Sequence, residues 1–359
     1  MNKIAELISK LCPDGVELRT LDSLVDYVQP GPYIVSSTEY DAHYRTPVLT
    51  AGQSFILGYT NEEEGIYSAS PQNPVIIFDD FTTSFHWVDF NFKVKSSALK
   101  ILKIKDKQEA DFRYIYMAMK TIIFIPTNHM RHWISLYSKF EIPLPPLNIQ
   151  KKIVSILDSF TSLIDKMKQE VEMRKKQMEY YLNILIRKDN VATRQFGDIG
   201  IVQRGKRVVR NELALQGNIP VFQNSLTPLG YYQQSNIPAN NTFIISAGAA
   251  GEIGFSAKPF WAADDCLVIS SVLCDSKYLY YYLKTQEQFL KSQIRGGAMK
   301  RLSRETIEKL EIPVPSIEKQ RQIASILDTF ETYISKLEQM IVLRQKQYEY
   351  YREKLLTFE

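Results

Sequence analysis

Glu141-Ile-Pro-Leu-Pro-Pro-Leu-Asn-Ile-Gln-Lys-Lys-Ile-Val-Ser-Ile-Leu-Asp158 returns 170 residues later as Glu311-Ile-Pro-Val-Pro-Ser-Ile-Glu-Lys-Gln-Arg-Gln-Ile-Ala-Ser-Ile-Leu-Asp328. Both copies run on without a gap through Glu179-Tyr180-Tyr181 and Glu349-Tyr350-Tyr351, and about half of the positions over roughly 45 residues are identical. A repeat of this length inside one chain marks a duplicated structural unit. The stretches ahead of each copy match more loosely but in the same order. Pro47-Val48 and Leu57-Gly58-Tyr59 parallel Pro220-Val221 and Leu229-Gly230-Tyr231. A β-rich run follows, Val75-Ile-Ile-Phe78 against Thr242-Phe-Ile-Ile245, then a short helical segment, Phe112-Arg-Tyr-Ile-Tyr-Met117 against Lys277-Tyr-Leu-Tyr-Tyr-Tyr282.

Within the repeat, Pro143-x-Pro145 and Pro313-x-Pro315 hold the backbone extended, because proline disfavours the helical region for the residue before it. Each proline run therefore closes a globular head. Beyond it the apolar residues fall into heptads: Leu157, Ile164, Val171, Met178 and Leu185 in the first copy, Leu327, Ile334, Ile341, Tyr348 and Leu355 in the second. Ile153, Phe160, Met167 and Tyr181, and likewise Ile323, Phe330, Leu337 and Tyr351, widen the stripe. A seam kept up this long predicts coiled-coil-like pairing, with Leu157, Ile164, Val171 and Met178 facing Leu327, Ile334, Ile341 and Tyr348. Asn148 and Ser316 are the candidate N-caps; Lys319 at the third helical position rules out a capping box in the second helix. Arg174 and Arg344 stand on the seam, either to fix register or to reach past it to solvent.

The expected fold is α+β: two mixed α/β heads joined by two long antiparallel helices, with an internal pseudo-two-fold repeat. The divisions fall at residues 1–145 (first head), 146–187 (first helix), 188–315 (second head) and 316–359 (second helix). A helix of about 36 residues spans roughly 54 Å, enough to hold two heads against successive major grooves about 34 to 36 Å apart. A plain dimerisation stalk satisfies the same pattern.

Composition narrows the class. The 359 residues allow two ordinary domains, and a net charge of +4 permits a polyanionic partner without resembling a DNA coater. Cys12, Cys266 and Cys274 form no CxxC pair, which disfavours a disulfide framework or structural zinc and fits a reducing cytoplasm. Neither a targeting pattern nor a run of about 18 apolar residues occurs, so a soluble cytoplasmic protein is expected. The catalytic Asn/Asp-Pro-Pro-aromatic run of an adenine methyltransferase and the G-x-x-x-x-G-K-[ST] of a motor are both absent. Gly248-Ala-Ala-Gly251 reads as a turn rather than a phosphate loop, and Asp79-Asp80 and Asp264-Asp265 as turn or cap residues rather than metal ligands. His129-x-x-His132 lacks further ligands nearby.

The opening Leu11-Cys12-Pro13-Asp14-Gly15-Val16, the doubled Pro-x-Pro run leading to Gln-x-x-Ile-x-x-Ile-Leu-Asp, the Arg-x-Lys-Gln-x-Glu-Tyr-Tyr ending and Gly296-Gly-Ala-Met-Lys-Arg-Leu-Ser303 together resemble the specificity subunits of type I restriction-modification systems. The resemblance spans essentially the whole chain. It implies a non-catalytic subunit whose heads are target recognition domains, each reading one half of a bipartite, non-palindromic site in double-stranded DNA. The helices would then act as spacer and docking surface. Partners implied are two modification subunits, which bind S-adenosylmethionine and methylate adenine N6, and restriction subunits using Mg²⁺ and ATP; no cofactor is expected on this chain. The first half carries Asn128-His-Met-Arg-His-Trp-Ile-Ser135 where the second has the glycine-basic run, a departure that leaves its DNA contacts less defined.

Base reading calls for Arg or Lys against guanine and Asn or Gln against adenine, while phosphates are gripped by Lys, Arg and backbone N–H groups. Candidates in the first head are Arg45, Gln53, Ser54, Lys93, Asn128, His129, Arg131 and His132. In the second they are Arg204, Lys206, Arg207, Asn224, Ser225, Arg295, Gly297, Lys300 and Arg301. Tyr231 and Tyr232 have the chemistry to stack on bases, although their position after Leu-Gly suits edge-strand packing. A two-headed adaptor that binds proteins is the alternative; the specificity half of a fused nuclease-methyltransferase would need catalytic motifs that the sequence lacks.

Overall fold

Val75-Ile-Ile-Phe-Asp79 carries no polar alternation before its final aspartate, and in the computed structural model all five residues are buried. Ile76 and Phe78 face one core, Val75 and Ile77 another, so the strand is the middle of a three-layered head. The structure describes residues 6, 10–13, 15–50, 55–126, 130–186, 191–209, 211, 213–294 and 301–358. The chain divides into a unit of residues 1–166 with 341–359 and a unit of residues 167–340.

In the first unit a four-stranded antiparallel sheet has the order Val25–Val28, Leu99–Ile104, Val75–Asp79, Phe85–Val88. A three-stranded sheet, Ile56–Thr60, Thr46–Leu49, Lys93–Val94, lies beyond Val75 and Ile77, its last pair parallel. Helix Phe112–Met119 covers the other face with Tyr114, Ile115 and Ala118 fully buried. The second unit repeats this order: Gly200–Arg204, Cys266–Ser271, Asn241–Ile245, Ile253–Ser256 in the large sheet, then Gly230–Tyr232, Ile219–Phe222, Trp261–Ala262 in the small one, again ending in a parallel pair. Helix Ser276–Thr285 takes the place of Phe112–Met119. Tyr231 and Tyr232 lie in an edge strand, half-buried, with Tyr232 edge-on to Trp261. Each head is closed by a short pair in which the proline run returns to the head's start: Leu18–Thr20 with Glu141–Pro143, and Thr193–Gln195 with Glu311–Pro313.

Two helices of 40 residues follow these pairs, Leu147–Ile186 and Ile317–Leu356, each about 60 Å long. Leu157, Ile164, Val171, Leu327 and Ile334 are buried, and Met178, Ile341 and Tyr348 half-buried. Within the second unit Lys175 meets Glu338 at 2.9 Å and Tyr181 stacks on Phe330, so the residue numbers run in opposite senses and the pairing is antiparallel. In the first unit Phe160 meets Tyr351 in the same sense. Asn148 is not the cap: the first helix starts at Leu147, and the carbonyl of Pro146 already accepts from the N–H groups of Ile149 and Gln150. Proline at the cap has no N–H to leave unpaired, so the helix can begin two residues earlier, at Leu147. Ser316 does cap the second helix, its hydroxyl accepting from the Lys319 N–H at 3.3 Å. Arg174 is half-buried and satisfied along its own helix by Glu170 and Gln177, with its guanidinium 5.5 Å from the centre of the Tyr333 ring; Arg344 likewise bonds Gln347.

Candidate nucleic-acid interface and its supports

In the second head, strand Asn241–Ile245 runs out into the turn 246–251, and loops from three other strands converge on it. Gly248 takes φ +81°, and its Cα lies so close to Asn224 that a Cβ would stand 2.6 Å from the Asn224 carbonyl oxygen; only glycine fits there. That approach lets the Ala249 N–H donate to the Asn224 carbonyl at 2.9 Å, presenting Asn224 exposed and Ser225 half-buried. Arg204 donates to the Asp264 carbonyl at 2.7 Å, and the Lys206 N–H to that of Ala262. Arg301 pairs with Asp265 at 3.2 Å and bridges Ala247 across a single antiparallel rung. Arg204, Lys206, Arg207, Asn224, Ser225 and Arg301 are thereby gathered at one end of the sheet. The sites Arg295, Gly297 and Lys300 lie outside the described residues.

The first head builds the same corner differently. Its strand ends in Asp79-Asp80; Asp79 caps the turn by accepting from the Phe81 N–H and the Thr82 hydroxyl. The Asp80 carbonyl accepts from the His132 N–H at 2.8 Å, as the Ser246 carbonyl accepts from Leu302 at 2.8 Å. Arg131 and Arg301 therefore occupy matching places, and Arg131 is exposed. The carboxylate of Asp80 also accepts from the Trp133 N–H at 2.8 Å and stands 3.4 Å from the Lys100 ammonium, both side chains 1% exposed. Lys100 completes its shell with Gln29 at 3.0 Å.

Two candidates of the first head are corrected by burial. Lys93 is 3% exposed, its ammonium held by Glu62 at 2.8 Å and by the Glu64 carbonyl at 2.6 Å. A charge enclosed in this way cannot reach a phosphate. His132 is 4% exposed, its ring against Phe124, and Trp133 beside it is packed on Phe78; the segment turns its apolar side inward and leaves Arg131 outside. Arg45 is exposed at the start of its strand. Gln53, Ser54, Asn128 and His129 lie outside the described residues. Among the described residues no group of three or more His, Cys, Asp or Glu converges as a metal site would require, and no helix is long and apolar enough to cross a membrane.

The profile of the type I restriction modification DNA specificity domain matches residues 13–173 and again 188–343. The chain belongs to this family. It is 36% identical to the EcoR124I/EcoR124II specificity subunit of Escherichia coli, over 96% of this chain and 95% of that protein. A putative type I specificity subunit of Haemophilus influenzae is 29% identical over 85% of this chain and 86% of its own length. The crystal structure of a type I S subunit from M. genitalium superposes with a TM-score of 0.71 at 18% identity, covering 95% of this chain and 96% of that one, which establishes a shared fold. The role is DNA specificity in a type I restriction-modification system, and it is not catalytic.

Each head of this specificity subunit is locked to the start of its long helix by a joint that the repeat motif spells out. Gln150 is fully buried: its carbonyl accepts from the Asp111 N–H at 2.8 Å and its amide donates to the Pro145 carbonyl at 2.7 Å. Gln320 does the same with Asp275 at 2.8 Å and Pro315 at 2.9 Å. Asp111 and Asp275 in turn N-cap the head helices. Tyr114 donates to the Pro143 carbonyl at 2.8 Å and Tyr278 to Pro313 at 3.0 Å. Burial pushes both phenols well above their usual range, so each stays a neutral donor. Arg113 reaches Asp158 at 2.9 Å while lying 4.9 Å over Trp87 and 5.2 Å over Tyr116. Lys277 reaches Asp328 at 3.0 Å among Phe255, Tyr280 and Tyr281. The motif glutamine was visible in the sequence as an identity between copies, but nothing local told it from a surface glutamine.

Proposed function

We propose that each head of this specificity subunit reads one half of a bipartite DNA site through its strand-end corner, with the helices setting the unread spacer. The supporting observation is that two heads of one topology carry different side chains on the same corner: exposed Arg131 in one, exposed Arg204, Lys206, Arg207 and Asn224 with half-buried Arg301 in the other. Arg and Asn are the residues that match guanine and adenine edges, while the lysine suits phosphate. Different chemistry on like scaffolds makes the half-sites differ in sequence, so the whole site is non-palindromic. The functional divisions follow residues 1–145, 146–187, 188–315 and 316–359. Gln53, Ser54, Asn128, His129, Arg295, Gly297 and Lys300 remain part of the proposed DNA surface; Lys93 and His132 do not.

The same reading assigns the outer faces of the long helices to two modification subunits. Met173 and Tyr180 in one helix and Leu343 and Tyr350 in the other are 56, 63, 65 and 55% exposed at matching repeat positions. Paired apolar positions suit two copies of one partner. S-adenosylmethionine would reside on those partners, and Mg²⁺ and ATP on the restriction subunits, in the cytoplasm. Co-expression with the modification subunit, followed by sequencing that maps N6-methyladenine, is expected to return two short half-sites around a fixed gap. An undivided motif, or no methylation, rejects the reading.

A further inference from the structure

We infer that the two buried joints are what make the subunit exacting about spacer length, with Gln150 and Gln320, Arg113 and Lys277 as positioning residues. The inference rests on the two-headed reading proposed above. One base pair more or less in the spacer moves a half-site by about 3.4 Å along the duplex and turns it by roughly 34–36° about the axis. A head free to tilt at its helix would follow such a change; one held rigidly would lose its contacts.

Three independent ties at each joint oppose tilting. The glutamine carbonyl accepts from a head backbone N–H and its amide donates to a head carbonyl, Glu109 at 3.4 Å or Leu273 at 3.0 Å, besides bonding the proline run at the foot of its own helix. Rotating the helix therefore breaks the bonds to the head inside the protein, where water cannot replace them. The tyrosine hydroxyl fixes the proline run to the head helix through a different carbonyl, that of Pro143 or Pro313. The cation, sandwiched between head aromatics and a helix carboxylate, resists sliding along the helix. The cation changes from arginine to lysine and its aromatic partners from Trp87 and Tyr116 to Phe255, Tyr280 and Tyr281, yet both joints keep the same three ties in the same places. Heads whose exposed corners differ so much share this buried arrangement, which points to a shared mechanical task.

The test uses the full complex with the modification subunit. Once the parental motif is mapped, methylation is measured on duplexes carrying both half-sites with the native spacer, one base pair fewer and one more. The variants are Gln150→Leu, Arg113→Met and the conservative Arg113→Lys, with thermal unfolding of each followed in parallel. Arg113→Met leaves the buried glutamine in place, so it carries the test even where Gln150→Leu fails to fold. Gln150→Leu and Arg113→Met are expected to weaken the preference for the native spacer over the shorter and longer ones at least tenfold while both half-sites are still read. Arg113→Lys keeps the parental preference, since lysine fills this place in the second joint. A variant that loses activity equally at all three spacers, or keeps the parental preference, overturns the inference. A parental motif without a gap overturns the inference and the two-headed reading together, whereas a gapped parental motif with unchanged variants overturns the inference alone.

Discussion

Glu62, just past strand Ile56–Thr60, accepts from the N–H groups of Ser36 and Ser37 at 2.9 Å and from the Lys93 ammonium at 2.8 Å, and so ties the 36–37 loop to the short strand Lys93–Val94. The lysine's hydrogen bond, ahead of the backbone donors, holds the Glu62 carboxyl below the usual carboxylate range. A lowered folded value means that the pair stabilises the head above the unfolded glutamate pKa of about 4.3 and that this contribution fades as pH falls through the folded value. Glu62→Gln leaves a buried ammonium without its counter-charge, at a cost of about 3 kcal/mol near neutrality. Urea unfolding of parent and variant should converge as pH drops below about 4; an equal gap at pH 7 and pH 3.5 would contradict the assignment. Lys93 and Arg131 show at this scale why cation type is a poor guide to DNA contact. The sequence presents both as basic residues, and only the enclosure by Glu62 and Glu64 separates them.

At the scale of elements, apolar periodicity decides which faces are covered. Phe243 and Ile245 pack into one core of the second head while Ile244 enters the other, as expected of a strand with layers on both sides. The long helices are covered along one stripe, and Leu327, fully buried, joins that stripe to the head helix core. Leu327→Ala should therefore cost about 2–5 kcal/mol through lost burial and the cavity left behind. Met173→Ala, on the outer face, should cost under about 0.5 kcal/mol. Thermal denaturation of both variants checks the contrast; equal losses would mean that the helix faces are assigned the wrong way round. The heptad pattern made the stripe legible in the sequence. The two-residue error at Asn148 arose because a proline at the cap position removes a donor without announcing a boundary.

For the whole molecule, the duplication separates what is shared from what is free to vary. Exchange of residues 196–310 for the matching segment of another family member is expected to alter one half-site and leave the other, as read by methylation mapping; a change in both halves would refute the independence of the heads. DNA affinity should fall steeply between 50 and 200 mM salt, by about tenfold or more for a handful of phosphate contacts, measured by fluorescence anisotropy on the mapped site. A flat salt response would favour a protein-binding adaptor.

The repeat, the two helices, their seam and the family were determined by the sequence alone, because each rests on local periodicity or on identity between two stretches of one chain. Tertiary structure alone decided that Lys93 and His132 point inward, that Arg131 stands where Arg301 stands, and that Gln150 and Gln320 are buried joints. Whether a polar side chain faces water or protein depends on which distant segment folds over it. For Lys93 that segment is residues 62–64, and for Gln150 it is the cap of a helix some forty positions earlier.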